Sequence, residues 1–174
     1  MALVLAGPAG AAEKLTSAQL DALFVQLADP DNSDWQTTQQ KILDDWSRSG
    51  SPALDFLLQR GRDAMAAGDL DAAIADLTAL TDQAPDFAEG WNARATAYYL
   101  HGLFGPSIAD IEHVLTLEPR HFGAISGLGL ILEQTDRKPD ALRAFHQSLS
   151  INPHQDGIRK EMEDLEKQMG GTDL

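Results

Sequence analysis

The chain has 174 residues, of which 43% are hydrophobic and 23% charged, one domain's worth of globular material able to bury a sizeable core. A formal charge of −14 argues against nucleic acid and anionic membrane surfaces as partners, because both are bound through basic patches. No cysteine is present, which excludes disulfides, thiol catalysis and thiolate metal sites.

Residues 1–12, MALVLAGPAGAA, are small and apolar before the sequence turns polar at Glu13. They resemble the apolar core and small-residue cleavage site of a secretory signal, with Ala9-Gly10-Ala11 but no basic leader. The expectation they set is export to the periplasm; a loose tail on a cytoplasmic protein is the alternative. The stretch is too short to span a bilayer, and nothing else in the chain approaches the length required. A helix is predicted over 16–28, with Leu20, Leu23, Phe24 and Leu27 on one face and Thr16 or Ser17 as N-cap. Asp29-Pro30 stops it. The run from Asp29 to Asp34 lacks the sixth-place glycine and twelfth-place glutamate of a calcium loop, so it reads as a loop leading into a helix cap. A second helix runs from Ser33 or Asp34 to about Ser49, its apolar face formed by Trp35, Ile42, Leu43 and Trp46. Residues 13–50 therefore read as one hairpin, expected to cover the exposed end of the helices beyond Pro52.

Ser49-Gly50-Ser51-Pro52 resets the chain. Helix pairs are then predicted at 54–67 and 70–83, at 87–101 and 106–117, and at 121–135 and 139–151. Asp69 caps the second of these helices. Pro106 and Pro139 fall in first turns, where a missing N–H costs nothing. A last helix over 156–169 puts Ile158, Met162, Leu165 and Met169 on one side and charges on the others. Gly170-Gly171 ends it, and residues 172–174 read as a frayed tail. Between Arg62 and Arg94 stand Asp63, Asp69, Asp71, Asp76, Asp82, Asp86 and Glu89 with no base among them. A solvated face is the simple reading of these acids, and a docking surface for a basic partner the sharper one.

The helix pairs repeat. Pro85, Pro119 and Pro153 recur at intervals of 34 residues, and a shift of 34 also aligns Leu57, Trp91 and Ile125. The same shift brings Gly61, Ala95 and Gly129 into line, then Ala64, Tyr98 and Leu132. It also matches Ala73, Ser107 and Ala141, with Leu77, Ile111 and Phe145. On these residues the chain resembles the tetratricopeptide repeat family, whose pattern is W-x₂-L-G-x₂-Y, then A-x₃-F, then P. The likeness covers residues 54–155 in three copies, with Arg60 and Arg94 standing where leucine is usual. It implies an all-α fold, a right-handed α-solenoid of helical hairpins. Residues 13–50 would form a degenerate N-terminal hairpin, 51–155 three repeats, and 156–174 a capping helix and tail. Small residues at 61, 95 and 129 would let paired helices cross closely. No pair hides its apolar face without its neighbours.

In that family the first helix of each pair lines a concave groove that receives a peptide or a partner's helix. By register, the resemblance assigns to the groove Asp55, Leu58, Gln59, Arg62, Met65 and Ala66 from the first repeat, Glu89, Asn92, Ala93, Thr96, Tyr99 and Leu100 from the second, and Gly123, Ser126, Gly127, Leu130, Glu133 and Gln134 from the third; Arg62, Met65, Asn92, Thr96, Tyr99, Leu130 and Glu133 are the groove residues expected to touch a partner. Asn92 could bond a peptide backbone through both halves of its amide, Arg62 could hold a carboxylate, and Tyr99 offers a flat face with a polar tip. Some members clamp the carboxylate end of a chaperone tail. The matching positions here are Leu58, Arg62, Ala93, Gly123 and Gly127, and only Arg62 could serve. The glycines of the third repeat point instead to a bulkier or more apolar guest.

Other chemistry has little support. The five histidines are scattered; His121 and His154 follow repeat-ending prolines and belong on adjacent turns, which leaves a metal site the weakest reading. The three tryptophans lie on apolar faces and read as core. Acids fall on solvent-facing helix positions, no nucleophile–base pair is evident, and no glycine loop cradles phosphate, so neither catalytic residues nor a cofactor is expected. The reading is a non-catalytic adaptor that holds a protein or peptide partner in its groove, the alternative being a self-associating subunit of a larger assembly.

Overall fold

A computed structural model of the chain describes residues 14–170, and among these every regular element is an α-helix. The order is α1 (Ser17–Leu27), α2 (Trp35–Trp46), α3 (Pro52–Ala66), α4 (Leu70–Gln83), α5 (Ala88–Leu100), α6 (Phe104–Leu117), α7 (Phe122–Gln134), α8 (Lys138–Ile151) and α9 (Asp156–Gly170). The leader-like stretch 1–12 and the tail 172–174 lie outside the described residues. No helix among those described is long and apolar enough to cross a membrane.

Local chemistry sets the boundaries. Thr16 caps α1 in a reciprocal box: the Gln19 amide donates to its Oγ1 at 3.3 Å, and the Thr16 amide donates to Gln19 Oε1 at 2.9 Å. Asp69 caps α4 by accepting from the Ala72 amide at 3.1 Å. Helices α3, α6 and α8 each begin a residue or two earlier than the predicted 54, 106 and 139. Pro52, Pro106 and Pro139 still occupy first turns, where no amide donor is required. Within each repeat the first helix ends on a left-handed residue, Gly68 and Gly102 at φ 78° and Asp136 at φ 59°. The closing bonds repeat in step: the amides of Asp69, Leu103 and Arg137 donate to the carbonyls of Ala64, Tyr98 and Leu132 at 2.9, 2.8 and 2.8 Å.

The small residues sit at the crossings as the register requires. A methyl group built on Gly61 would come within 2.5 Å of the Leu77 side chain, and one on Gly129 would collide with the Phe145 ring. Ala73, Ser107 and Ala141 are fully buried opposite them, and Ser107 donates to the Ala95 carbonyl at 2.7 Å. The arginines that break the family pattern are paired across the same crossing. Arg60 meets Asp76 at 2.9 Å, and one repeat later Arg94 grips Asp110 through two bonds of 2.8 Å. At the equivalent third-repeat positions stand Leu128 and Ala144, both part of the last apolar cluster. The reading of the acids as solvent-facing thus needs correction: Asp45, Glu89 and Asp110 are buried, and the latter two hold arginines.

The N-terminal hairpin also lies elsewhere than on the exposed end. Phe24, Leu27, Ile42 and Trp46 pack with Phe122 and Ile151, the helix ends that flank the second and third inter-repeat turns. Arg120 reaches Asp21 at 2.7 Å, Asn152 donates to Gln39 at 2.7 Å, and His154 stacks on Trp35 with ring centres 4.9 Å apart. The hairpin therefore runs along the edge where the repeats turn into one another. Those turns supply the rings and amides it needs, whereas Phe56 on α3 stays 62% exposed. Of the three tryptophans, Trp46 is buried; Trp35 and Trp91 are half-buried against His154 and His113.

Candidate functional site

Helices α5, α6 and α7 enclose a cavity of about 240 Å³ on the groove side of the second and third repeats. Its walls come from Asn92, Thr96, Tyr99 and Leu100 of α5, from Ile111 of α6, and from Leu130 and Ile131 of α7. Four of the seven groove residues expected from sequence, Asn92, Thr96, Tyr99 and Leu130, converge there. Gly123 and Gly127 form part of the wall, and because they carry no side chain the cavity reaches down to Ser107 and Ile111, which belong to the helix crossing. A methyl group on Gly127 would meet only ordinary contact, 3.9 Å from Ile111. These glycines therefore make space rather than permit close packing, unlike Gly61 and Gly129. At one side the Tyr99 hydroxyl accepts from Gln134 Nε2 at 2.5 Å, tying α5 to α7.

The other three expected residues lie apart. Met65 packs half-buried against the cluster of Leu58, Leu77 and Ala97 that joins the first repeat to the second. Arg62 is not free to take a carboxylate: its guanidinium donates to Glu89 Oε1 at 2.5 Å and to Ser47 at 3.2 Å. Glu133 lies one turn beyond Leu130 on α7. Partial burial and the neighbouring Glu161 charge push its carboxyl above the ordinary value, with Lys138 opposing.

Around Glu89 the structure builds a cluster that the sequence did not disclose. Glu89 is 8% exposed and accepts from His121, Arg62 and Asn92. The Ala124 amide donates to His121 Nδ1 at 3.1 Å, which caps α7 and leaves Nε2 to carry the proton and donate to Glu89 at 3.0 Å. Burial pushes the Glu89 carboxyl up, but the His121 bond and the Arg62 charge outweigh it, so the group is held below its ordinary value. The His121 ring in turn stacks on Trp46 of the hairpin at 4.2 Å. Helix α2 thereby covers the edge of the groove at the starts of α5 and α7. The visible signal was the 34-residue series Asp55, Glu89, Gly123: each copy carries a different residue at this place, which marks it as outside the shared packing.

Likenesses to known proteins agree with this architecture. A family model described as Tetratricopeptide repeat matches residues 58–110. A TPR repeat-containing protein of Rhizobium etli is 35% identical over 157 residues, an overlap of 88% of this chain and 76% of that protein. The Sgt2 TPR domain from Aspergillus fumigatus superposes on 71% of this chain and 83% of its own length, with a TM-score of 0.66 and 23% identity. The first TPR of Spaghetti (RPAP3), solved bound to the HSP90 peptide SRMEEVD, covers 67% of this chain and 95% of its own, with a TM-score of 0.65 and 20% identity. At those identities the two structures speak for the fold alone. Together with the 34-residue register and the three stacked hairpins, the relative from Rhizobium etli settles the family: the chain belongs to the tetratricopeptide repeat proteins.

Proposed function

We propose that this protein is a non-catalytic adaptor that holds a peptide or helix of a partner protein in the groove of its repeats. The observation that carries this is the cavity between α5, α6 and α7, where Asn92, Thr96, Tyr99 and Leu130 meet from two different repeats. A short chain laid across α5 and α7 would find a side-chain pocket there, with amide and hydroxyl groups at its walls to bond a backbone. The Spaghetti domain in complex with an HSP90 peptide supports a peptide-holding role for this architecture. It does not extend to the same peptide, since Leu58, Ala93, Gly123 and Gly127 give an acidic tail nothing to pair with and Arg62 already holds Glu89. Periplasmic location is part of the proposal and rests on residues 1–12.

The test is crosslinking in cells with a photoreactive residue at Thr96, followed by mass spectrometry, beside the same probe at Asp71 on the exposed face of α4. Adducts to a discrete partner from position 96 and none from 71 are expected. Adducts from 71 alone would overturn the groove reading. One observation favours the alternative, a self-associating subunit: Phe56 stands 62% exposed on the uncovered outer side of α3. Light scattering decides it, because a mass that stays monomeric as concentration rises removes that alternative.

A further inference from the structure

We infer that the cavity between α5, α6 and α7 takes one bulky apolar side chain from a basic segment of the partner protein. This rests on the groove reading above and adds the chemistry of the guest. Size comes first. At about 240 Å³ the cavity is smaller than the roughly 300 Å³ at which small-molecule sites begin, yet larger than the about 150 Å³ that accepts a benzene ring. A leucine, methionine or phenylalanine side chain suits it. Lining chemistry agrees: Ala95, Leu100, Ile111, Leu130 and Ile131 dominate the walls, and no charged residue is among them.

Charge decides what flanks that side chain. Arg62 and Arg94, on the first helices of the first two repeats, are committed to Glu89 and Asp110. One turn beyond the pocket residue Leu130 on α7, Glu133 has its carboxyl raised by partial burial first and then by repulsion from the Glu161 carboxylate of α9, with Lys138 opposing. A lysine or arginine next to the anchoring side chain would relieve that repulsion, whereas an acidic flank would add to it. The whole chain, at −14, reinforces the same preference at longer range.

The test uses the full chain and three short fluorescent peptides that share one backbone: a leucine between lysines, a serine between lysines, and a leucine between glutamates. Anisotropy titration is expected to show the lysine–leucine peptide binding about tenfold to a hundredfold more tightly than the serine peptide, the fold-change that burial of one leucine side chain supplies. Gly127→Leu fills the cavity from within and should reduce it to the serine level, with the melting temperature unchanged or raised. Glu133→Gln should weaken it about twofold to fivefold, the range of an exposed ion pair. Equal or tighter binding of the glutamate peptide, indifference to Gly127→Leu, or no saturable binding of the lysine–leucine peptide would overturn the inference. Any of these, found while crosslinks still map to position 96, removes the guest chemistry and leaves the groove standing. Crosslinks that miss position 96 remove both.

Discussion

Arg94 and Asp110 offer the sharpest test of how the repeats tolerate departures from the family pattern. The Arg94 side chain is 12% exposed and that of Asp110 7%, joined by two bonds of 2.8 Å. Asp110→Ala leaves the guanidinium with Thr81 at 2.8 Å, Thr78 at 3.3 Å and the Trp91 ring at 4.7 Å. Breaking a buried pair from one side costs about 3–5 kcal/mol. The remaining partners place Asp110→Ala near the lower limit, about 3 kcal/mol. Arg94→Leu strands a buried carboxylate and belongs in the same range. The double variant is different, because Leu and Ala are what the third repeat carries at positions 128 and 144, inside a well-packed cluster. Replacing a buried pair by apolar residues of suitable shape is often neutral or stabilising. The double variant should therefore lie within about 1 kcal/mol of the wild type. Urea unfolding followed by far-UV circular dichroism gives the cycle directly, with equal m-values confirming that the same unit unfolds. A double variant no more stable than Asp110→Ala alone would refute the idea that the ion pair and the apolar pair are interchangeable solutions to one crossing.

The geometry sets four further outcomes. Gly129→Ala should destabilise by about 1–3 kcal/mol through collision with Phe145, while Gly127→Ala, two residues away and meeting only ordinary contact with Ile111, should stabilise by about 0.5–1 kcal/mol through helix propensity. Thermal melts of the pair would show opposite shifts, and shifts of the same sign would contradict the assignment of the two glycines. Asp136→Gly should stabilise by about 0.5–1 kcal/mol, because it restores at φ 59° the residue found at the equivalent turns, and chemical unfolding reads this directly. Glu89 is held below its ordinary carboxyl value, so its stabilising contribution is complete above about pH 4.5 and is lost as pH falls through the lower folded value. Melting temperatures of Glu89→Gln should accordingly fall less steeply than wild type on acidification below that point. Trp46→Ala should cost the hairpin about 3–5 kcal/mol of docking, visible as faster hydrogen exchange in α1 and α2 while α3–α9 stay protected.

What the sequence discloses depends on whether a feature repeats. Helix pairs, the repeat-ending prolines, the close crossings at Gly61 and Gly129 and the apolar partners opposite them all share one 34-residue interval, so three noisy copies reinforce one another. The placement of four expected residues is legible for the same reason: register puts Asn92, Thr96, Tyr99 and Leu130 on a common face, and they line one pocket. It fails for Arg62 because exposure on a groove face says nothing about an intramolecular partner, and Glu89 lies 27 residues away. The Arg60–Asp76 and Arg94–Asp110 pairs were within reach of a closer reading, since both ends move together by 34 residues and both vanish together at Leu128 and Ala144. The seat of the hairpin was not. Its two helices have no counterpart in the repeats, and amphipathicity fixes which side of a helix is buried without saying against what.

That seat links the two ends of the chain's chemistry. Trp46 stacks on His121, His121 caps α7 and donates to Glu89, and Glu89 holds Arg62. Glu89 and Arg62 are first-helix positions committed to each other, and Ser47 beyond α2 also accepts from Arg62, so the Arg62 charge is taken up inside the fold. The cavity escapes this because Gly123 and Gly127 present no side chain to be recruited. Loss of side chains in the third repeat and their commitment in the first and second therefore work in the same direction. Both leave a largely apolar pocket that no charged side chain lines. That is the basis of the proposal that the groove takes a basic segment with one large apolar side chain rather than an acidic tail.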